Sequence, residues 1–210
     1  AYRRQRQMCI RDSFKSSKEA MENGVAMVHQ ELNQALTRTV KDNLWLGRYP
    51  KVAGFVVSER IMDQRTKEIF ETLEVEVDPN AVMSTLPVSQ RQMVEIAKAV
   101  SYNSKIIVFD EPTSSLTETE VEHLFRIINM LRDRGCGIIY ISHKMDEIFE
   151  ICDEISVLRD GNLVMTKAAR DTNMNELIAA MVGRSLESRF PPVDNTPGDT
   201  ILSIQHLSTK

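Results

Sequence analysis

The stretch IIVFDEPT at residues 106–113 decides the fold. Its four leading apolar residues predict a strand that is buried on both faces of a parallel sheet. Asp110 and Glu111 then follow at the carboxyl end of this strand, where open α/β sheets bind ligands. One carboxylate there can hold Mg²⁺ through water, and its neighbour can orient or deprotonate an attacking water. Two acids after a strand more often belong to a solvated loop, so their interpretation depends on the rest of the chain.

Strands and helices alternate around this stretch, which predicts an α/β fold with a mostly parallel sheet. Further predicted strands cover residues 25–28 and 137–142, and predicted helices cover residues 18–23, 58–73, 118–134 and 144–152. Another helix is predicted to begin at Ser89, because its hydroxyl can act as a cap and apolar residues recur at helical spacing from Met93 to Val100. Residues 159–162 favour a hairpin or a tight connection between two strands, and a last helix is predicted over residues 175–182.

The helix predicted at residues 118–134 has start and stop signals of its own. Thr117 and Glu120 form a capping-box pattern, and Gly135 follows the helix end. Its predicted core face consists of Val121, Leu124, Phe125, Ile128 and Leu131. These signals make this helix the best defined element of the chain.

Composition bounds the class of protein. The 210 residues are 42% hydrophobic and 27% charged, with a formal net charge of −4. This length predicts one domain, or one domain and a piece of another, and the apolar fraction excludes a wholly disordered chain. A mildly acidic chain without a Lys/Arg block lacks the electrostatic signature of nucleic-acid binding. No apolar run approaches the roughly 18 residues that span a bilayer, and no signal peptide opens the chain, so we expect a soluble cytosolic protein.

The two ends of the chain differ from its centre. Residues 1–13 contain four arginines without periodicity and are interpreted as a non-native or disordered tail, with a basic amphipathic arm as the alternative. Three prolines predict a linker at residues 185–199, and residues 200–210 are predicted to be the first strand of a following domain.

The cysteines lack metal-ligand spacing, and Cys136 and Cys152 are predicted to be buried thiols.

Two further segments have the chemistry of a phosphate site. His143 follows the strand predicted at residues 137–142, so neighbouring βα units can bring it to the same sheet edge as Glu111, where imidazole can donate to a phosphoryl oxygen. The segment Leu86 to Gln90 leads into a helix whose N-terminal N–H groups can meet an anion. The ordinary alternatives are a structural histidine and a capped helix.

These residues resemble the nucleotide-binding cassettes of ABC transporters in order and approximate spacing. The segments that carry the resemblance are Gln30, Leu86 to Gln90, Asp110 to Thr113, Ser114 to Thr117 and His143. The resemblance covers residues 14–184 and implies a P-loop NTPase-like fold, with an inserted helical subdomain at about residues 40–100. It also implies that the cassette is truncated at its N-terminus and that ATP and Mg²⁺ are its cofactors.

The resemblance implies a role for each residue at the sheet edge. Gln30 matches the glutamine that contacts Mg²⁺ and couples to membrane subunits, and Asp110 matches the aspartate that holds Mg²⁺. Glu111 matches the catalytic base, and His143 matches the histidine that senses the terminal phosphate. Ser114 begins the segment that crosses the interface between two cassettes.

The signature segment, implied to serve the nucleotide bound by the opposite cassette, consists of Leu86, Pro87, Val88, Ser89 and Gln90. The family usually has serine where this chain has Pro87, and proline offers neither a hydroxyl nor an N–H group. Unless Pro87 is a sequence error, it weakens the site formed with the second cassette.

Four longer stretches resemble the bacterial monosaccharide importers of the ribose and galactose type. They are VHQELN at residues 28–33, NLWLGR at 43–48, QMVEIAKA at 92–99 and ISHKM at 141–145. This resemblance implies two cassettes in one chain on the cytoplasmic face of the inner membrane. The implied partners are integral membrane permease subunits and, indirectly, a periplasmic sugar-binding protein, with a monosaccharide such as galactose, methyl galactoside or ribose as cargo.

The phosphate-binding P-loop needs glycines for its turn and a lysine for the β- and γ-phosphates. The chain has no Gly-Lys pair. In the family this loop precedes the strand that leads to Gln30, so we expect these 210 residues by themselves neither to bind ATP tightly nor to hydrolyse it.

Two other functions remain as alternatives. One is a non-transport ABC-type ATPase that acts as a switch on nucleic acid or ribosomes. Such proteins usually carry long coiled-coil insertions or basic arms, whereas the interval from Gln30 to Leu86 is compact and of mixed charge. The other is a catalytically inert module that docks on a membrane partner. We expect this for the 210 residues by themselves, whereas Asp110, Glu111 and His143 argue against it for the full-length protein.

Overall fold

A computed structural model describes residues 14–52 and 55–183, together with Ser203. The predicted tail at residues 1–13, the linker at 185–199 and the strand at 200–210 lie outside the described residues, apart from Ser203. The chain divides into two compact units, the first ending at Cys152 and the second beginning at Asp153.

The first unit alternates strands and helices, as predicted. Its strands are β1 (Val25–Val28), β2 (Lys51–Val52), β3 (Val56–Val57), β4 (Ile106–Asp110) and β5 (Gly137–Ile141). Its α-helices are α1 (Ser17–Glu22), α2 (Val40–Leu44), α3 (Glu59–Thr72), α4 (Val88–Val100), α5 (Glu118–Asp133) and α6 (Met145–Ile151), with a 3₁₀ turn at Met83–Thr85.

The central sheet has the order β1-β4-β5, and both pairings are parallel. Val28 pairs with Phe109, and Asp110 pairs with Ile141. All three strands therefore end at the same edge. The short strands β2 and β3, which lie between α2 and α3 in the sequence, pair with each other in antiparallel orientation, apart from the central sheet.

Only one face of this sheet is covered by the described residues. Ala26, Val28, Ile107 and Phe109 are buried and share one core with α4 and α5. On the other face Met27, Ile106, Ile139 and Ile141 are between 38% and 51% exposed. The prediction of a strand buried on both faces is thus wrong for β4 within the described chain. Side chains alternate across a strand, and the described core occupies one side of it.

Helix α5 follows its sequence signals closely. The Glu120 carboxylate accepts hydrogen bonds from the backbone N–H and the hydroxyl of Thr117, each at 2.8 Å. Gly135 follows the helix with a φ of +83°, which suits glycine. The predicted core residues are buried except for Val121, which is partly buried, and Ile127 joins them.

Helix α4 begins one residue earlier than predicted. Its first residue is Val88 and its N-cap is Pro87, which makes no side-chain capping bond, so the prediction that Ser89 caps the helix is wrong. Proline fits here because its ring fixes φ near the observed −61° and its missing N–H has no partner at a helix start.

Arg48 contacts residues at the ends of two helices, α2 and α4. Its guanidinium lies 3.9 Å from the ring centroid of Tyr102 and 4.8 Å from that of Trp45. It also donates hydrogen bonds to the carbonyls of Leu44 and Ser101, at 2.9 Å and 3.0 Å. This cation–π sandwich links α2 to the end of α4.

The described part of the second unit consists of β6 (Glu154–Arg159), β7 (Asn162–Ala168), a 3₁₀ turn at Ala169–Asp171 and α7 (Met174–Val182). The two strands form the predicted antiparallel hairpin. Asp160 and Gly161 both have positive φ, as a type I′ turn requires. Gly183 ends α7 with positive φ, and a Cβ there would lie 2.7 Å from Arg159 Nη1.

Two further findings concern the burial of the cysteines and the length of the apolar helices. Cys136 and Cys152 are half-buried and pack against the core, so the prediction of buried thiols is only partly confirmed. They lie just past the ends of α5 and α6, where the chain reaches the surface. No helix among the described residues is long and apolar enough to span a bilayer.

The core of α5 provides a test of the fold. Leu124 is fully buried, whereas Leu36 in the same unit is 44% exposed. We expect Leu124→Ala to lower the free energy of unfolding by about 2–5 kcal/mol and Leu36→Ala to change it by about 0.5 kcal/mol or less. Urea denaturation followed by fluorescence of Trp45, the only tryptophan in the sequence, measures both. Equal effects of the two substitutions would contradict the burial of α5.

Candidate functional site

The carboxyl edge of the parallel sheet brings together residues that are far apart in the sequence. Gln30 lies two residues after β1 and is exposed. Asp110 is the last residue of β4 and is half-buried, and Glu111 follows it. His143 lies two residues after β5. Because all three strands are parallel, these residues belong to one edge.

Glu111 and His143 are in direct contact. His143 Nδ1 lies 2.8 Å from Glu111 Oε1. An ionised carboxylate can only accept, so Nδ1 carries the proton and Nε2 is left for another partner. The His143 side chain is 73% exposed and that of Glu111 only 16%. The second oxygen of Glu111, Oε2, is buried without a hydrogen-bond partner among the described residues.

The backbone of Glu111 adopts an unusual conformation. Its φ is +47°, in the left-handed region that non-glycine residues rarely occupy. Its N–H donates to the carbonyl of Ile141 at 2.9 Å, which continues the pairing of β4 with β5. Strain of this kind persists where surrounding structure enforces it, and it clusters at functional sites.

The loop after Glu111 is a tight turn. The Ser114 N–H donates to the Glu111 carbonyl, and the Leu116 N–H donates to the Thr113 carbonyl, each at 3.3 Å. Ser114 is exposed and Thr113 is buried. The loop therefore presents Ser114 to the surface while Thr113 anchors it.

The segment Leu86 to Gln90 lies at the start of α4 rather than in contact with the Glu111–His143 pair. Leu86, Ser89 and Gln90 are half-buried, and Val88 is 46% exposed. The Thr117 backbone N–H, together with the hydroxyls of Thr117 and Ser89, holds the pKa of Glu120 below its usual range. Glu120, whose pKa the Ser89 hydroxyl helps to lower, accepts hydrogen bonds from Thr117 at the end of the loop, at 2.8 Å.

A cluster that sequence reasoning missed lies beneath this loop. The Glu147 carboxylate is buried and accepts hydrogen bonds from Thr113 Oγ1 at 3.0 Å and from Tyr140 Oη at 2.8 Å. Lys144 Nζ lies 3.0 Å from its other oxygen. Glu147 lies four residues after His143, in α6, and that short spacing was the available signal. Its partners at Thr113 and Tyr140 come from other elements, and no local pattern identifies them.

The donor set at the edge suits a magnesium ion that is bound together with a phosphate. Mg²⁺ prefers oxygen ligands and is usually held by one or two carboxylates plus substrate phosphates. Asp110 offers a carboxylate at the strand end, and Gln30 offers an amide oxygen at the same edge. The described residues contain no group of three or more His, Cys, Asp or Glu side chains that could hold a metal ion by themselves. The residues present therefore fit Mg²⁺ accompanied by a phosphate.

Comparison with known proteins gives consistent matches. The ABC transporter family matches residues 5–114, and this match begins within residues 1–13, whose interpretation as a tail stays a prediction. Galactose/methyl galactoside import ATP-binding proteins are similar over 93–94% of this chain. They include those of Treponema denticola at 61% identity, Photobacterium profundum at 59% and Escherichia coli at 57%. The chain spans only 38–39% of the length of these relatives.

Solved structures share the fold. A dimeric ATP-binding cassette in a post-hydrolysis state, bound to ADP and Pi, superposes with a TM-score of 0.64 at 22% identity, over 75% of this chain and 69% of that one. The ADP conformation of an ATP-binding cassette from an ABC transporter gives a TM-score of 0.66 at 20% identity, over 81% and 72%. The α/β, P-loop NTPase-like fold is thereby confirmed. With a family match to residues 5–114 of 210, this chain belongs to the ABC transporter family.

Proposed function

We propose that the full-length protein is the ATP-hydrolysing subunit of a monosaccharide importer. The proposed cargo is galactose or methyl galactoside. The contact that carries this proposal is the 2.8 Å bond between Glu111 and His143, next to Asp110 at the carboxyl edge of the sheet. A carboxylate and an imidazole in this arrangement suit attack of water on a terminal phosphate. The sugar is taken from the names of relatives that are 57–61% identical.

Asp110 and Gln30 are the residues that would hold Mg²⁺. When bound to ATP, this ion neutralises charge on the phosphoryl oxygens. Asp110 is suited to the task because its strand position fixes its backbone through pairing with Ile141. Gln30 follows a strand end directly and lies on the surface, where it can also meet a partner protein.

Glu111 is proposed to orient the attacking water and to accept its proton. Its buried Oε2 has no hydrogen-bond partner among the described residues and is the oxygen available for this water. Its Oε1 is held by His143, which keeps the carboxylate in one orientation. His143 Nε2 remains able to donate to an oxygen of the terminal phosphate once the imidazole is protonated.

The segment Leu86, Val88, Ser89 and Gln90 is proposed to contact the nucleotide held by a second cassette, and Ser114 is proposed to cross the interface between cassettes. Pro87 supplies neither a hydroxyl nor an N–H group, so we expect the nucleotide site completed by this segment to be weaker than one completed by serine.

In this proposal residues 14–184 form a first cassette, residues 40–100 form its helical subdomain, and residues 185–199 link it to a second cassette that begins at residues 200–210. Closure of the two cassettes around ATP would move integral membrane permease subunits through the region of Gln30, and hydrolysis would reset them. A periplasmic sugar-binding protein would act indirectly. The subunit would be peripheral, on the cytoplasmic face of the bacterial inner membrane.

Substitution of Glu111 tests the catalytic role. In the full-length protein we expect Glu111→Gln to abolish steady-state ATP hydrolysis while ATP binding stays intact, because the amide cannot take a proton from water. Glu74→Gln is a matched control, since Glu74 also has positive φ but is exposed at the end of α3. Phosphate release and calorimetric ATP binding measure the two properties. Hydrolysis at the wild-type rate in Glu111→Gln would overturn the role of Glu111.

The strained backbone gives a second prediction. Asparagine tolerates left-handed φ better than glutamate, so Glu74→Asn should raise the free energy of unfolding by about 0.5–1 kcal/mol. Glu111→Asn should raise it at least as much, because it also removes a buried oxygen without a partner, and it should abolish hydrolysis. Urea denaturation and phosphate release measure these effects. A loss of stability in Glu111→Asn alone would mean that the Glu111 side chain stabilises the fold instead.

A further inference from the structure

We propose that Glu147 is a positioning residue for hydrolysis, whose carboxylate keeps the loop that bears Glu111 and the strand end that bears His143 in a fixed relation. This inference rests on the proposed function, because it assigns Glu147 a task only if Glu111 and His143 act together. Glu147 itself hydrogen-bonds neither residue. It accepts hydrogen bonds from the segments that contain Glu111 and His143.

On the Glu111 side the contact is made through Thr113. The Thr113 hydroxyl donates to Glu147 Oε2 at 3.0 Å, and Thr113 is only 1% exposed. Thr113 lies two residues after Glu111 in the same tight turn, where the Ser114 N–H donates to the Glu111 carbonyl. A shift of Thr113 would therefore move the turn that holds Glu111 in its strained conformation.

On the His143 side the contacts come from β5 and the residue after it. Tyr140 Oη donates to Glu147 Oε2 at 2.8 Å, and Ser142 Oγ lies 3.4 Å from the same oxygen. Ser142 Oγ also accepts the Lys144 N–H at 3.0 Å. Ser142 and Lys144 are the two neighbours of His143, so both backbone attachments of the imidazole are tied to this cluster.

Lys144 closes the cluster electrostatically. Its ammonium lies 3.0 Å from Glu147 Oε1 and 3.1 Å from Thr113 Oγ1. A buried carboxylate is stable only when it is paired and hydrogen-bonded, and here one cation and three hydroxyls meet that need. One carboxylate thus connects two segments whose functional residues are 32 positions apart.

Removal of this carboxylate should affect the rate more than ATP binding. Without it the Thr113 and Tyr140 hydroxyls lose their shared acceptor, and the loop and the strand end can move apart. Displacements of about 1 Å at a catalytic pair can reduce a rate by about 100-fold. The groups proposed to contact nucleotide and Mg²⁺ are not bonded to Glu147, so affinity for ATP should change little.

The test is Glu147→Gln in the full-length protein. We expect kcat for ATP hydrolysis to fall by about 10- to 100-fold while the Kd for ATP and the binding stoichiometry stay within about threefold of wild type. Glu176→Gln is the matched control, because Glu176 also accepts bonds from a lysine, Lys167, and a threonine, Thr172, but lies in the second unit and has a side chain that is 37% exposed. It should leave kcat unchanged. An unchanged kcat in Glu147→Gln would overturn the proposal.

A double-mutant cycle separates positioning from loss of folded protein. If Glu147 acts through Glu111, then Glu147→Gln should reduce the residual single-turnover rate of Glu111→Gln by less than about twofold. The same large reduction in both backgrounds would contradict positioning. Full hydrolysis by Glu111→Gln would instead overturn the proposed function, so the two failures are distinguishable.

A milder variant covers the case in which Glu147→Gln fails to fold. Tyr140→Phe removes the 2.8 Å hydrogen bond to Glu147 but keeps the edge-to-face contact with the ring of Phe125. We expect a smaller fall in kcat, of about 3- to 10-fold, because the Thr113 and Lys144 contacts remain. No change in kcat for Tyr140→Phe, with the fold intact, would contradict the proposal.

The Glu147 cluster also predicts an acid dependence of stability. Burial raises the pKa of Glu147, but hydrogen bonds from Tyr140, Lys144 and Thr113 outweigh it, so the pKa lies below its ordinary value. A lowered carboxyl pKa stabilises the fold above the unfolded pKa of about 4.3 and ceases to do so as the pH falls through the folded pKa. The titratable groups that face Glu147 are Lys144, at 3.0 Å, and Tyr140, at 2.8 Å, and burial together with the Glu147 carboxylate raises the pKa of Tyr140.

We therefore expect the urea midpoint of the wild type to exceed that of Glu147→Gln by a constant amount above about pH 5, and the difference to shrink below about pH 4. Trp45 fluorescence follows both transitions. A difference that does not depend on pH would show that the carboxylate charge plays no part in the cluster.

Discussion

The parallel pairing of β4 with β5 is the constraint on which the site depends. It sets Asp110 opposite Ile141, and the Glu111 N–H then continues the ladder by donating to the Ile141 carbonyl at 2.9 Å. This bond places the residue after one strand beside the end of the next strand. Because β1 pairs in parallel with the other side of β4, Gln30 lies at the same sheet edge as Asp110, Glu111 and His143. Any slip in this register would separate Glu111 from His143.

The site combines a strained residue with a well-bonded support. Glu111 has a left-handed backbone and a buried oxygen without a partner in the described chain, both of which cost stability. Nearby, the Glu147 carboxylate accepts several hydrogen bonds and pairs with Lys144. A carboxylate that must stay available to a reactant keeps an oxygen without a hydrogen-bond partner. Its position must then be fixed by neighbouring groups whose own hydrogen bonds are complete.

Much of the fold follows from local patterns in the chain. The strands at Val25–Val28 and Ile106–Asp110, the capping box at Thr117 and the turn at Asp160-Gly161 agree with expectation because each depends on neighbouring residues. The errors have a different origin. Ser89 has the right chemistry for a cap, but Pro87 already has the required backbone, so the helix begins earlier. The apolar run in β4 predicts burial on both faces, yet the described core covers one, and burial depends on what packs there.

By itself the sequence determined the alternation of strands and helices, the helix caps and turns, and the pair of acids after a buried strand. These features depend on backbone preferences and side chains within a few residues of one another. The tertiary structure decided that Glu111 meets His143, that Glu111 adopts positive φ, and that Thr113, Tyr140 and Lys144 converge on Glu147. The contact between Glu111 and His143 joins residues that are 32 positions apart in the sequence, and the contact between Thr113 and Glu147 joins residues that are 34 positions apart. They exist because the parallel sheet brings successive strand ends to one edge, a relation that no local pattern specifies.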